Sequence, residues 1–113
     1  INMSNGLVVR EGAVPLSRAR KYAEKNKLPF IDLREDLAFT NNQQLSNHLS
    51  VRFSRTFRRP IRVTIESFFK GECFGKRFVA ILPHDFLHEY VLSTKQAPKE
   101  ILNSLSTHES RLS

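Results

Sequence analysis

Five arginines cluster near the middle of the chain: Arg52, Arg55, Arg58, Arg59 and Arg62. A guanidinium group is planar and pairs with a carboxylate or a phosphate through two parallel hydrogen bonds. Arginines concentrated in this way, at the end of a helix and the start of the next segment, predict a surface that binds an anionic partner.

The composition agrees with this interpretation but does not choose the partner. Lysine and arginine number 18 against 11 acidic residues, a formal net charge of +7. Such an excess favours an acidic protein, a nucleic acid or an anionic membrane surface. Phe53 and Phe57 have the chemistry to stack on bases, but their helical spacing favours a place in the core. The sequence contains no RNA-recognition, KH or zinc-finger signature.

His84 and His88 are the candidate metal ligands. They stand one helical turn apart with Asp85 beside the first, which is similar to the His-Glu-x-x-His pattern of zinc proteases. The acid here is aspartate, and no third ligand is evident. We therefore expect no metal site, and two partly exposed histidines beside a core face.

Nucleotide chemistry is not predicted. The segment 71–77 (GECFGKR) is similar to a phosphate loop, but it has three residues between its glycines where the loop has four, and Arg77 where the loop has Ser or Thr. Cys73 lies near cations that would favour a thiolate, yet no base accompanies it, so we expect a plain turn cysteine. As the only cysteine, it also excludes an internal disulfide. We expect a non-catalytic chain without a cofactor.

A helix near 41–58 positions most of the arginines. Residues 40–43 (TNNQ) have the form of a capping box, and Pro60 ends the helix near Arg58. Between these limits one apolar stripe recurs at steps of four residues, formed by Leu45, Leu49, Phe53 and Phe57.

An antiparallel hairpin near 61–82 is predicted after this helix. Ile61, Val63 and Ile65 alternate with polar residues, the pattern of a strand with one buried face. Gly71 and Gly75 are free to form a turn, and the apolar run 78–82 follows as a second strand.

The remaining segments complete an α+β prediction: a single domain over 15–105 with a small antiparallel sheet covered by helices. Leu28–Leu33 is expected to be extended. The other expected units are a flexible arm or short strand over 1–14, helices near 15–26, 84–94 and 98–105, and a tail over 106–113.

A cytoplasmic location is expected from two absences in the sequence. No apolar run approaches the roughly 20 residues needed to cross a bilayer, and no charged start precedes a hydrophobic signal segment.

Three segments give the chain a family resemblance. Residues 19–33 (ARKYAEKNKLPFIDL) look like a helix followed by a Leu-Pro-Phe-hydrophobic-Asp-Leu segment. Residues 49–61 (LSVRFSRTFRRPI) look like a helix of apolar and basic residues that leads into a strand, and 78–83 (FVAILP) like the strand before another helix. In these features the chain resembles the N-terminal domain of type II secretion and type IV pilus assembly ATPases.

The resemblance implies a cytoplasmic docking domain at the inner membrane. In that family the domain attaches the motor to the cytoplasmic part of an inner-membrane assembly protein, and a separate C-terminal domain hydrolyses ATP. Some relatives bind cyclic di-GMP through a motif that begins Arg-Leu-Gly, whereas residues 18–20 here read Arg-Ala-Arg. The expected partner is an acidic cytoplasmic region of the assembly protein, bound by the five arginines. The alternative is a small nucleic-acid-binding or regulatory protein that uses the same arginines, with steeply salt-dependent affinity.

Overall fold

The structure is a computed structural model that describes residues 6–36, 42–73, 75–84 and 98–112. In chain order the described residues form β1 (Gly6–Arg10), α1 (Leu16–Lys25), β2 (Phe30–Asp32), α2 (Asn42–Phe57), α3 (Ile65–Lys70), β3 (Phe78–Leu82) and α4 (Pro98–Ser110). None of these helices combines the length and apolar character needed to span a bilayer.

The sheet is open and parallel, so the predicted antiparallel sheet is wrong. Its strand order is β1-β3-β2, and Ala80 in the central strand lies opposite both Val8 and Ile31. Every residue of β3 is buried. A continuous apolar run of this kind is typical of a parallel strand covered by helices on both faces.

Helices cover both faces of the sheet. On one face Val9, Val79 and Ile81 pack against Ala19 and Ala23 of α1. On the other face the sheet meets a larger core formed with α2, α3 and α4, which includes Val8, Ile31, Ala80, Leu49, Phe53, Phe68, Ile101 and Leu105. The basic end of α2 therefore lies on the face opposite α1.

The segment predicted as the first hairpin strand is extended, but it pairs with helix side chains instead of another strand. We call Ser46, Ser50 and Ser54 of α2 the serine row. Ser54 Oγ donates to the Ile61 carbonyl at 3.0 Å and accepts from the Ile61 N–H at 2.9 Å. Ser50 Oγ accepts from the Val63 N–H at 2.8 Å, and Ser46 Oγ donates to the Val63 carbonyl at 2.6 Å.

This pairing is possible because two periods match. Four residues of α-helix rise about 6 Å, and two residues of extended chain rise about 6.6 Å. Ser54 therefore meets Ile61 and Ser50 meets Val63, two residues further on, while Ser46 binds the carbonyl of the same Val63. Ile61 and Val63 are buried, and Arg62 between them is exposed.

A short helix replaces the rest of the predicted hairpin. The Thr64 hydroxyl accepts from the Ser67 N–H at 3.2 Å and caps α3, so Ile65 begins a helix instead of continuing a strand. Gly71 has a φ of 76° and ends α3. A Cβ at Gly71 would lie 2.3 Å from the Gly6 carbonyl oxygen, so this glycine serves a helix end packed against β1.

Helices α1 and α2 lie where the periodicity predicts them, whereas α4 continues beyond Leu105 to Ser110. The predicted tail thus contains the last turns of a packed helix, and Leu112 is buried. Glu109 accepts hydrogen bonds from the Arg10 N–H at 3.0 Å and from its guanidinium at 2.8 and 2.7 Å, which covers the outer edge of β1. The helix predicted near 84–94 lies, apart from its first residue, outside the described residues, as do residues 40 and 41 of the capping box.

Replacing Ser50 by alanine tests the serine row. Ser50→Ala removes the acceptor of the buried Val63 N–H, and we expect the free energy of unfolding to fall by about 1–3 kcal/mol. Urea denaturation measures this change. Ser17→Ala, the same change at an exposed position of α1, should stay within about 0.5 kcal/mol. Equal effects at the two sites would show that the serine row does not hold the extended segment.

Candidate functional site

The C-terminal end of α2 presents three exposed arginines. The Arg59 N–H donates to the Ser54 carbonyl at 3.2 Å, and Arg58 adopts a left-handed conformation with a φ of 56°. This arrangement is a helix-ending motif in which glycine is the usual residue at the left-handed position. Arg58 occupies that position here, and Arg55 and Arg59 are exposed beside it.

Arg62 adds a fourth cation. The hydrogen bonds of Ile61 and Val63 to the serine row hold the backbone on both sides of Arg62, and its side chain is exposed. We call Arg55, Arg58, Arg59 and Arg62 the basic surface. Lys76 lies close to the same end of α2, with Nζ 5.9 Å from the centre of the Phe57 ring.

Arg52, the fifth predicted partner-binding arginine, has an internal role. Its guanidinium donates to both carboxylate oxygens of Asp36, at 2.9 and 2.8 Å, and to the Asp32 carbonyl at 3.0 Å. Asp36 also contacts His48. These contacts tie α2 to the segment that follows β2, so Arg52 stands apart from the basic surface.

The guanidinium groups of the basic surface lie apart from the acidic side chains that the structure describes. Within the described residues, no carboxylate lies in ion-pair distance of its four guanidinium groups. Other arginines are paired: Arg34 binds Asp32 at 2.7 Å, and its hydrogen bonds lower the pKa of that carboxyl group. Cations at the end of a helix also stabilise its dipole, but Arg62 lies beyond the last turn, where this effect has faded.

A groove adjoins the basic surface and contains an exposed apolar side chain. We call it the α2 groove; its volume is about 570 Å³, and it is lined by Asn47, Ser50, Val51, Ser54, Pro60, Ile61 and Arg62. Val51 is 51% exposed, unlike the buried apolar stripe of α2. Sequence reasoning missed Val51, although a lone valine on the polar side of an amphipathic helix was a visible signal.

The phenylalanines of α2 belong to the core, which confirms the prediction. Phe53 is fully buried, and its ring centre lies 4.9 Å from that of Phe78 and 6.1 Å from those of Phe57 and Phe68. Phe57 is half-buried and packs against the same cluster. Phe53 therefore has no face free to stack on a nucleic-acid base.

The other predicted candidates are not assembled into a site by the described residues. His84 is exposed, with Nδ1 3.5 Å from the Glu11 carbonyl, and His88 lies outside the described residues. Where the structure describes the chain, no group of three metal-ligating side chains occurs. Cys73 is buried, and burial raises its pKa to about 12, so the thiol stays protonated at neutral pH despite the cations near it in sequence.

Fold and surface together describe a small open-sheet domain with a basic helix end suited to binding an anion. Comparisons with protein-family models, curated proteins and solved structures found no match to this chain.

Proposed function

We propose that the chain is a non-catalytic docking domain that binds an acidic segment of a partner protein through the basic surface. One observation carries the proposal: four exposed guanidinium groups without a carboxylate partner among the described residues, held by a packed helix end and the serine row. Because the backbone that carries these arginines is already ordered, binding a carboxylate has to fix only the side chains, and the planar guanidinium group loses less freedom per hydrogen bond than an ammonium group does.

An acidic protein segment suits the surface better than a nucleic acid. Single-stranded nucleic acids bind best where aromatic side chains provide stacking platforms beside the cations. Phe53 is buried, and Phe57 is half-buried against the core. The α2 groove offers an exposed valine instead, which favours a chain with aliphatic side chains.

The family that the sequence resembles suggests a partner. In the secretion and pilus ATPases that the sequence resembles, the docking domain binds the cytoplasmic part of an inner-membrane assembly protein. We therefore propose an acidic region of such a protein as the ligand, with any ATP hydrolysis located in a separate domain.

Binding of a simple acidic probe tests the proposal directly. A fluorescent peptide of alternating glutamate and serine is titrated with the chain, in parallel with a single-stranded oligonucleotide of the same length, and anisotropy is measured. We expect the peptide to bind more tightly than the oligonucleotide, with affinity that falls between about 50 and about 200 mM salt. Tighter binding of the oligonucleotide would favour the nucleic-acid alternative, and no binding of either probe would refute the proposal.

Arg58→Gly should separate binding from stability. Glycine adopts the left-handed conformation without the steric cost that arginine carries, so the free energy of unfolding should stay within about 1 kcal/mol of the wild type or rise. Loss of one cation should weaken binding of the acidic peptide by about threefold to fivefold. Anisotropy and urea denaturation measure the two effects.

Lys27→Gly provides the matched control for this variant. Lys27 has a φ of 55° and follows the end of α1, on the other face of the sheet. Lys27→Gly should therefore change the free energy of unfolding by about as much as Arg58→Gly does. Its binding of the acidic peptide should be nearly unchanged. An equal loss of affinity in both variants would place the binding surface elsewhere.

A further inference from the structure

We infer that the partner segment carries an aliphatic side chain that packs on Val51 in the α2 groove, between acidic residues that pair with Arg55 and Arg62. The inference rests on the proposed function and specifies the partner of the same surface. An acidic segment without an apolar residue would leave the groove empty and bind less tightly.

The position of Val51 within the charged face is the first observation. Residues four apart share one face of a helix, so Arg55 lies on the same face of α2 as Val51. Arg62 lines the groove beside Val51. The exposed valine is thus bordered by guanidinium groups.

The hydrogen bonds of the polar side chains in the groove walls are the second observation. Ser50 and Ser54 use their hydroxyl groups to bind the backbone of the extended segment. The side-chain oxygen of Asn47 accepts from Gln43 at 2.9 Å. These three oxygen atoms already have partners within the fold, and beside them an entering chain meets the exposed side chain of Val51 and the guanidinium group of Arg62.

The size of the groove is the third observation. At about 570 Å³ the groove is large enough to seat a few residues of a peptide, and it is open to solvent. Because the border is cationic, the chain that enters should carry carboxylates on both sides of its apolar residue. A segment of the form acid-acid-leucine-acid-acid meets these requirements.

Two peptides that differ at one residue test the inference. Both are fluorescent and rich in glutamate, and the central residue is leucine in one and serine in the other. We expect the leucine peptide to bind the wild-type chain about fivefold to tenfold more tightly, because part of the leucine side chain leaves water on Val51. In Val51→Ser this preference should disappear, while the serine peptide should bind as before.

Val51→Leu is the companion variant. The site is exposed, so both variants should keep the wild-type circular dichroism spectrum, and Val51→Leu should retain the preference for the leucine peptide. Equal binding of the two peptides to the wild type would overturn the inference and leave the proposed function intact. A preference that persists in Val51→Ser would also overturn it. Failure of both peptides to bind would instead overturn the proposed function.

Discussion

Reversing two charges of the basic surface is expected to reduce affinity for the acidic peptide about 50-fold. In the variant Arg55→Glu with Arg59→Glu, two attractions become repulsions, and each exposed ion pair is worth a few tenths to one kcal/mol. Both residues are exposed, and neither forms an ion pair among the described residues, so the fold should be retained. Fluorescence anisotropy measures the affinity, and circular dichroism checks the fold.

A second double variant controls for net charge. Arg18→Glu with Lys21→Glu makes the same change in net charge on exposed positions of α1, which covers the other face of the sheet. Only long-range attraction should weaken, by about twofold to threefold at physiological salt. If the two variants lost equal affinity, the acidic peptide would be responding to the total charge of the chain, and the docking surface would not exist.

Removing the ring of Phe53 should have the largest effect on stability. Phe53→Ala leaves a cavity among Phe57, Phe68 and Phe78, at the place where α2, α3 and β3 meet. Such truncations cost about 3–5 kcal/mol, and domains are stable by only about 5–15 kcal/mol in total. Urea denaturation should therefore show a much lower midpoint for this variant.

Phe57→Ala is the matched comparison, one helical turn further along α2. Phe57 is half-buried, so the same truncation should cost about half as much as at Phe53. Similar losses at the two positions would contradict the central place of Phe53 in the core. The comparison also calibrates how much packing at the end of α2 supports the basic surface.

The positions of α1 and α2 were predictable, whereas α3 and the pairing of the strands were not. Repeats of about four residues locate α1 and α2, because a helix buries one face whatever it packs against. Strand pairing joins distant segments: Val8 lies opposite Ala80, and no local feature of either segment identifies the other. The continuous apolar character of β3 was the available signal for a parallel sheet.

The segment after α2 shows what an alternation of apolar and polar residues can and cannot predict. The alternation of Ile61 and Val63 predicted a hairpin strand, which is wrong, but both side chains are buried as the alternation indicates. The alternation does not reveal which groups bind the backbone of the segment, and here those groups are serine hydroxyls. Serines at steps of four beside the apolar stripe of α2 were the signal, since hydroxyl groups on a helix can replace a neighbouring strand.

The candidate site was predicted in part. Sequence spacing located the arginines, but it did not separate Arg52 from the others, because its partner Asp36 comes from a segment before α2. Val51 was missed because an exposed apolar residue on a helix is ordinary when viewed alone. Val51 became a candidate only when the structure placed it in a groove beside Arg62.

Of the three strands that the structure describes, the central one is also the last to be made. Since β3 separates β1 from β2, neither earlier strand has a neighbour until the ribosome has released residues 78–82. Sheet formation must then join segments far apart in the chain, which slows folding relative to a helical domain of this size. During synthesis the nascent chain therefore holds two unpaired strand segments, of which β1 is largely apolar, and unpaired segments of this kind are prone to aggregation.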